Sequence, residues 1–131
     1  MKQLMNSIAN PTAASASSSR DNPCFGSDPN VATLNVLADD GISYLLPYAQ
    51  FLYAEKIPNA ALETKPDAPP EILLLHFAAA DVAVLGSGLT RLEEKIQKYE
   101  LKFVKSADRR FATALNTHVA FVTITFTRET A

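Results

Sequence analysis

The feature that most constrains the fold is the apolar run at residues 71–85, EILLLHFAAADVAVL. Its aliphatic and β-branched residues predict two strands, Glu71–Phe77 and Val82–Leu85, joined by a short turn near Ala79-Ala80-Asp81. Both alternating faces of the first strand are mostly apolar, as is typical of a strand inside a sheet. We therefore expect Glu71–Phe77 to be a central strand that is covered on both sides.

A turn signal and an ambiguous segment precede this run. Asp40-Gly41 lies between two β-rich stretches, and glycine adopts positive φ at little cost, so the pair predicts a hairpin. Residues 44–56 partly match a helix face, yet they contain four aromatics that prefer strands. Pro47 suits either the first turn of a helix or a bend in an edge strand. We favour a long, bent strand because the hairpin leads directly into it, and a helix is the alternative.

Helical spacing is clearest in GLTRLEEKIQKYE, which predicts one helix over about residues 89–98. Thr90 and Glu93 have the spacing of a capping box, and Ser87 is a rival N-cap. A helix this short is marginal alone and must pack on a sheet. Its apolar stripe consists of Leu89, Leu92, Ile96 and Tyr99.

The two ends of the chain differ in pattern. Residues 101–105 predict a short strand, and residues 111–129 predict a hairpin that turns near Asn116-Thr117. In its last strand alternate residues should face the core, with the threonines facing outward. The expected core-facing residues are Ala120, Val122, Ile124 and Phe126. Residues 1–30 hold few bulky apolar groups, which is typical of a leader that is flexible or bound to a partner.

These patterns predict one α+β domain over residues 31–131, which suits a chain of 131 residues. We expect a small, antiparallel-rich sheet of about five to seven strands, with one packed helix. Such a helix covers only part of one sheet face, so considerable apolar surface needs another cover. The first hypothesis is therefore a non-enzymatic assembly or protein-interaction module that self-associates as a homo-oligomer or in a larger assembly.

A glycine turn before the helix supports a second hypothesis. Gly86, Ser87 and Gly88 join a strand to the helix N-terminus, where main-chain N–H groups favour anions. The third position of a dinucleotide fingerprint holds Arg91, and no Gly-Lys-Ser/Thr motif is present. The bland explanation is a tight corner that glycine makes easy. A basic flank on the helix could extend the site toward an anion or nucleic acid; it consists of Arg91, Lys95 and Lys98.

Catalytic chemistry has little support in the sequence. His76 is expected to be a core histidine, although a His76–Asp81 pair would make an enzyme pocket conceivable as a third hypothesis. His118 is expected in a solvated turn. No metal-ligand spacing and no cofactor motif are evident, so we expect no metal, no cofactor and no catalytic residues.

Composition limits the setting of the protein. The net charge of −2 creates no global attraction for nucleic acid or acidic membrane. No apolar run is long enough to cross a bilayer. Cys24 is the single cysteine, which excludes an intrachain disulfide and fits a reducing compartment, and a catalytic role would require a nearby base. We expect a cytoplasmic protein or one carried in a viral particle.

Overall fold

The computed structural model describes residues 22–112 and 114–127, so most of the predicted leader lies outside the described residues. Within them the chain forms eight strands and one α-helix, α1, over Thr90–Gln97. Single turns of 3-10 helix cover Tyr48–Gln50, Ala60–Glu63 and Arg109–Phe111. The strands are β1 (Phe25–Ser27), β2 (Thr33–Leu37), β3 (Ser43–Pro47), β4 (Phe51–Pro58), β5 (Glu71–Phe77), β6 (Ala80–Ser87), β7 (Leu101–Lys105) and β8 (His118–Phe126).

The strands are divided between two sheets. The first sheet has the order β1-β7-β2-β3 and the second has the order β4-β5-β6-β8. Neighbouring strands are antiparallel except β2 and β7, which are parallel. The α+β class is confirmed, but the prediction of a single sheet of five to seven strands is wrong. The described strands form two sheets of four because the chain changes sheet between β3 and β4.

That change of sheet occurs at Tyr48–Gln50. A strand was the right expectation for residues 44–56, but the strand is broken here and its halves belong to different sheets. Tyr48 is buried, its hydroxyl donates a hydrogen bond of 2.7 Å to the Leu101 carbonyl, and its ring stacks on Tyr99 at 4.9 Å. The hydrogen bond from this buried phenol to β7 fixes the place where the chain passes from the first sheet to the second.

One hydrophobic core contains side chains from both sheets and from α1, and it therefore lies between them. The predicted helix is confirmed, and its residues Leu92 and Ile96 are buried in this core. Full burial of such a side chain contributes about 1.5–3 kcal/mol. The residues that are fully buried include Leu34, Val36, Leu73, Leu75, Val82, Val84, Leu89, Leu101, Val104, Val119 and Val122.

The start of α1 differs from the prediction. Neither Thr90 nor Ser87 caps the helix through its side chain; instead Glu71 Oε1 accepts a hydrogen bond of 2.9 Å from the Leu89 main-chain N–H. The Thr90 hydroxyl accepts from Lys56 Nζ at 2.9 Å. A carboxylate at this end of a helix is stabilised by the main-chain dipoles. Tyr99 lies beyond the helix, with φ +57, and is about half exposed.

Strand β8 pairs with β6, so the predicted hairpin turning near Asn116-Thr117 is wrong. The segment before β8 forms a 3-10 turn, and the Thr117 hydroxyl donates 2.8 Å to the Gly88 carbonyl. This bond ties the segment to the start of α1, where a hairpin partner would otherwise lie. At the other end of the chain, β1, in the segment that was expected to be a leader, pairs with β7 and places Cys24 in the core.

The hairpin at Asp40-Gly41 is confirmed, since β2 and β3 pair antiparallel around it and Gly41 has φ +88. The pairing of β5 with β6 is also confirmed. Strand β5 lies inside its sheet, as expected, but within one chain only one of its sides is covered. Its Leu73, Leu75 and Phe77 are buried, whereas the residues that alternate with them are partly exposed.

Candidate functional site

The outer face of the second sheet is the candidate site. Because side chains alternate along a strand and paired residues share a face, the register defines which residues lie on it. Helix α1 lies on the opposite side, since Lys56, which pairs with the buried Leu73, contacts Thr90 and Glu93 of the helix. The outer face has three rows across β4, β5, β6 and β8: Tyr53-His76-Asp81-Thr125, Glu55-Leu74-Ala83-Thr123 and Ile57-Ile72-Leu85-Phe121.

The third row is entirely apolar, and we name it the apolar strip (Ile57, Ile72, Leu85, Phe121). Its ends are well exposed, with 38% of Ile57 and 50% of Phe121 accessible, and the two residues between them are partly exposed. The strip crosses the full width of the sheet. Contiguous exposed apolar surface of this kind is typical of an interaction site, whereas scattered single residues are not.

The first row contains a polar group that we name the His76 cluster (Tyr53, Glu55, His76, Asp81), with Glu55 from the adjacent row. His76 Nδ1 lies 2.9 Å from Asp81 Oδ1 and Nε2 lies 2.8 Å from Glu55 Oε2. The Tyr53 ring stacks on the imidazole with centroids 4.3 Å apart. The expected His76–Asp81 pair is therefore present, but the expectation of a core histidine is wrong, because His76 lies on the outer face with 19% of its side chain exposed.

The two carboxylates determine the charge of the imidazole. Partial burial lowers the pKa of His76, but the hydrogen bonds and charges of Asp81 and Glu55 outweigh that effect and raise its pKa above the usual value. A histidine that acts as a general base needs one ring nitrogen free to accept a proton. Both nitrogens of His76 are occupied by carboxylates, so the geometry gives no support to an enzyme pocket at His76 and Asp81.

A cleft of about 1180 Å³ adjoins the apolar strip, since Leu85 and Phe121 line both. The proline-rich loop and the segment around Arg109 form its walls, and Leu85 and Phe121 contribute to its floor. An ion pair of 3.8 Å between Arg109 and Asp67 joins the two walls. Since Leu85 and Phe121 belong to both features, the cleft and the strip form one continuous surface.

His118 also lines this cleft. The expectation of a solvated turn residue is wrong, because His118 begins β8 and is only 3% exposed. Its Nε2–H donates to the carbonyls of Ala107 and Asp108, both at 3.1 Å, since carbonyl oxygens only accept. The ring therefore anchors the segment around Asp108 over the end of the sheet.

The predicted anion corner is formed by residues that serve local packing. A Cβ on Gly86 would overlap the His118 carbonyl oxygen, and one on Gly88, which has φ +64, would overlap the Asn116 carbonyl oxygen. Both glycines thus permit close approach of the chain that enters β8. Ser87 is partly exposed and lines the cleft.

The charges near that corner are only partly available. The Leu89 amide at the helix N-terminus already binds the Glu71 carboxylate. Lys95 pairs with Glu100 at 3.8 Å, while Arg91 on the helix and Lys98 just after it are exposed. The structure therefore brings together the three residues of the corner but leaves only two cations of the basic flank open to solvent.

The single thiol is enclosed by the fold. Cys24 is fully buried, and its Sγ accepts a hydrogen bond of 3.2 Å from the Val119 N–H. Burial raises the pKa of the Cys24 thiol despite that bond and the charge of Lys105. Since the thiolate is the nucleophile, a buried thiol with a raised pKa is suited to packing and not to catalysis.

The strip could have been found from the sequence in part. The alternation that places Val122 and Ile124 toward the core assigns Phe121 to the outer face by parity. Glu55 had no comparable signal, because its contact with His76 depends on the pairing of β4 with β5.

Within residues 22–112 and 114–127 no group of three or more His, Cys, Asp or Glu is placed to hold a metal ion. No helix in the same part of the chain is long and apolar enough to cross a membrane. The chain matches no protein-family model, no curated protein and no solved structure, so the outer face of the second sheet carries the functional argument.

Proposed function

We propose that this protein is a non-enzymatic assembly module that self-associates through the outer face of its second sheet. The observation that carries the proposal is the apolar strip, which crosses all four strands and ends in the exposed Phe121. The opposite face of this sheet is packed in the core, so the strip is apolar surface of the outer face that a partner would cover.

A second copy is the partner that fits this face. In a two-fold dimer the same patch meets itself, so a strip that crosses the sheet can pack on its own equivalent. When the two-fold axis runs along the strip, across the strands, the His76 clusters of the two copies lie on opposite sides of the axis. That arrangement keeps like charges apart, since Glu55 and Asp81 outweigh one protonated histidine.

The dimensions of the face predict a weak interface. Four strands about 4.8 Å apart and roughly seven residues long give the whole outer face a flat area of roughly 450 Å² per copy, which is the upper limit for the interface. The total, about 900 Å², is below the ~1,200 Å² of a standard specific interface, so we expect association in the micromolar range.

Sedimentation velocity over about 10–500 μM tests the proposal, since this range brackets micromolar association. The wild type should form dimers as concentration rises, and Phe121→Glu should raise the dimer dissociation constant more than about tenfold by placing a charge on the strip. Ile57→Glu, at the other end of the strip, should act in the same direction.

Leu45→Glu is the matched control, because Leu45 is 65% exposed but lies on β3 of the first sheet. Circular dichroism and thermal melting establish that each variant is folded. A wild type that stays monomeric at the highest concentration would contradict the proposal, as would an equal loss of association in Leu45→Glu.

Binding of an anion or nucleic acid is the alternative, with the corner at Gly86–Gly88 and the helix flank as its site. The exposed Arg91 and Lys98 support it, but Glu71 already supplies a carboxylate to the Leu89 amide. It therefore ranks below self-association. For the setting we propose the cytoplasm or a viral particle, since the one cysteine is a buried thiol.

A further inference from the structure

The His76 cluster joins three neighbouring strands through one side chain. His76 lies on β5 and contacts Asp81 on β6 and Glu55 on β4. A neutral imidazole has one N–H and can donate to only one of these carboxylates. Two hydrogen bonds to ionised carboxylates require the imidazolium, so both contacts are hydrogen bonds only when the ring is protonated.

Strand β4 is the edge strand that this contact holds. It pairs with β5 along one side and has no second strand beside it in the described chain. Its residues are mostly exposed, and it carries Ile57 at one end of the apolar strip. A bond from His76 to Glu55 therefore fixes part of the association face.

We propose that His76 is a proton-operated latch that holds β4 and its part of the apolar strip in place and makes self-association stronger at lower pH. This inference rests on the proposed function for the association step, whereas the latch itself acts within a single chain. Protonation of His76 controls how well ordered β4 is and how tightly two copies bind.

The groups that face the ring come from both neighbouring strands. On β4 these are the Glu55 carboxylate and the stacked ring of Tyr53, and on β6 it is the Asp81 carboxylate. Thr125 of β8 follows Asp81 in the same row and is uncharged. With the ring protonated the cluster has a net charge of −1, and without that proton it has −2.

Both consequences of deprotonation oppose association. One carboxylate then faces a ring nitrogen lone pair instead of an N–H, so β4 loses a charge-assisted bond. The extra negative charge also makes the face costlier to bury against a second copy. Because the pKa of His76 is raised in the folded chain, the stabilisation is complete below the ordinary histidine pKa and is lost as pH rises through the folded value.

The test follows the dissociation constant and the histidine titration together. Between pH 6 and pH 8.5 the dimer dissociation constant should rise by about tenfold as His76 loses its proton. His76→Gln, which cannot take up the proton, should remove this dependence. Glu55→Gln should reduce the pH dependence of the dissociation constant. Because Glu55 is exposed at the sheet edge, this variant should fold even if His76→Gln does not.

A monomeric background separates the latch from the association. In Phe121→Glu, NMR should show His76 titrating above the usual histidine value, with His118 as the only other histidine signal. Main-chain amides of β4 should lose protection, measured against the intrinsic exchange rate at each pH, once His76 is deprotonated. If these hold and no dimer forms at any pH, the proposed function fails while the latch stands.

Two results would overturn the latch. One is a His76 pKa at or below the ordinary value in the monomeric variant. The other is pH-dependent association that persists in His76→Gln.

Discussion

Replacing Asp39 with alanine should destabilise the fold through the outer edge of β8. Asp39 acts there in place of a neighbouring strand: its N–H donates 2.9 Å to the Val122 carbonyl, and its Oδ2 accepts 3.1 Å from the Val122 N–H. Its Oδ1 accepts 3.0 Å from the Ser106 hydroxyl. Alanine keeps the first bond and removes the other two.

The expected loss follows from the burial of Val122, which is fully enclosed. An N–H left without a partner in such a place costs about 1–3 kcal/mol. The Ser106 bond is exposed and adds little, so we expect a loss of about 2 kcal/mol in the free energy of unfolding. For a domain of this size that corresponds to a fall in Tm of about 8 °C.

Urea denaturation and thermal melting measure both quantities, and the neighbouring Asp40 provides a matched control. Asp40 Oδ1 accepts 2.8 Å from the Ile42 N–H in an exposed turn, where water can replace it. Asp40→Ala should therefore cost less than about 1 kcal/mol, and Asp39→Asn, which keeps an acceptor, should lie between the two. Equal losses for Asp39→Ala and Asp40→Ala would refute the role assigned to Asp39.

Two further predictions concern packing. Gly86→Ala should cost about 2–3 kcal/mol in urea denaturation, because its Cβ overlaps the His118 main chain. Gly41→Ala, with nothing within 4 Å but with positive φ, should cost only about 1 kcal/mol, and a smaller loss at Gly86 than at Gly41 would contradict this view. Cys24 should react with a thiol reagent at least about 100-fold more slowly in the native protein than in denaturant, and rapid native labelling would contradict its enclosed position.

Elements set by neighbouring residues were predictable from the sequence. The Asp40-Gly41 hairpin follows from a glycine at positive φ, and α1 follows from an apolar stripe of helical period. The pairing of β5 with β6 follows from two apolar runs separated by a short turn. In each case the signal and the structure lie within the same few residues.

Contacts between distant residues were not predictable in this way. Glu71 caps α1 from a position far before the helix, and the ring of buried His118 is hydrogen-bonded to carbonyls of a preceding segment. The division into two sheets depends on the turn at Tyr48, whose phenol bonds to β7. Periodicity identifies strands but does not state which strands are neighbours.

The candidate site shows the same division. Parity placed Phe121 on the outer side of β8, and the short turn between β5 and β6 made the His76–Asp81 contact foreseeable. Glu55 completes the cluster only because β4 pairs with β5 after a long proline-rich loop. The charge of His76 thus depends on a residue that only the tertiary fold brings close to it.

The position of β7 has a consequence for synthesis on the ribosome. It lies between β1 and β2, and its Val104 pairs with Phe25, so the first sheet joins an early segment of the described chain to a late one. A nascent chain halted before residue 101 can form the β4-β5-β6 meander, but Cys24 and Val36 have no β7 to cover them. Folding of the first sheet therefore waits until β7 has been made, and chaperones would meet its apolar strands before then.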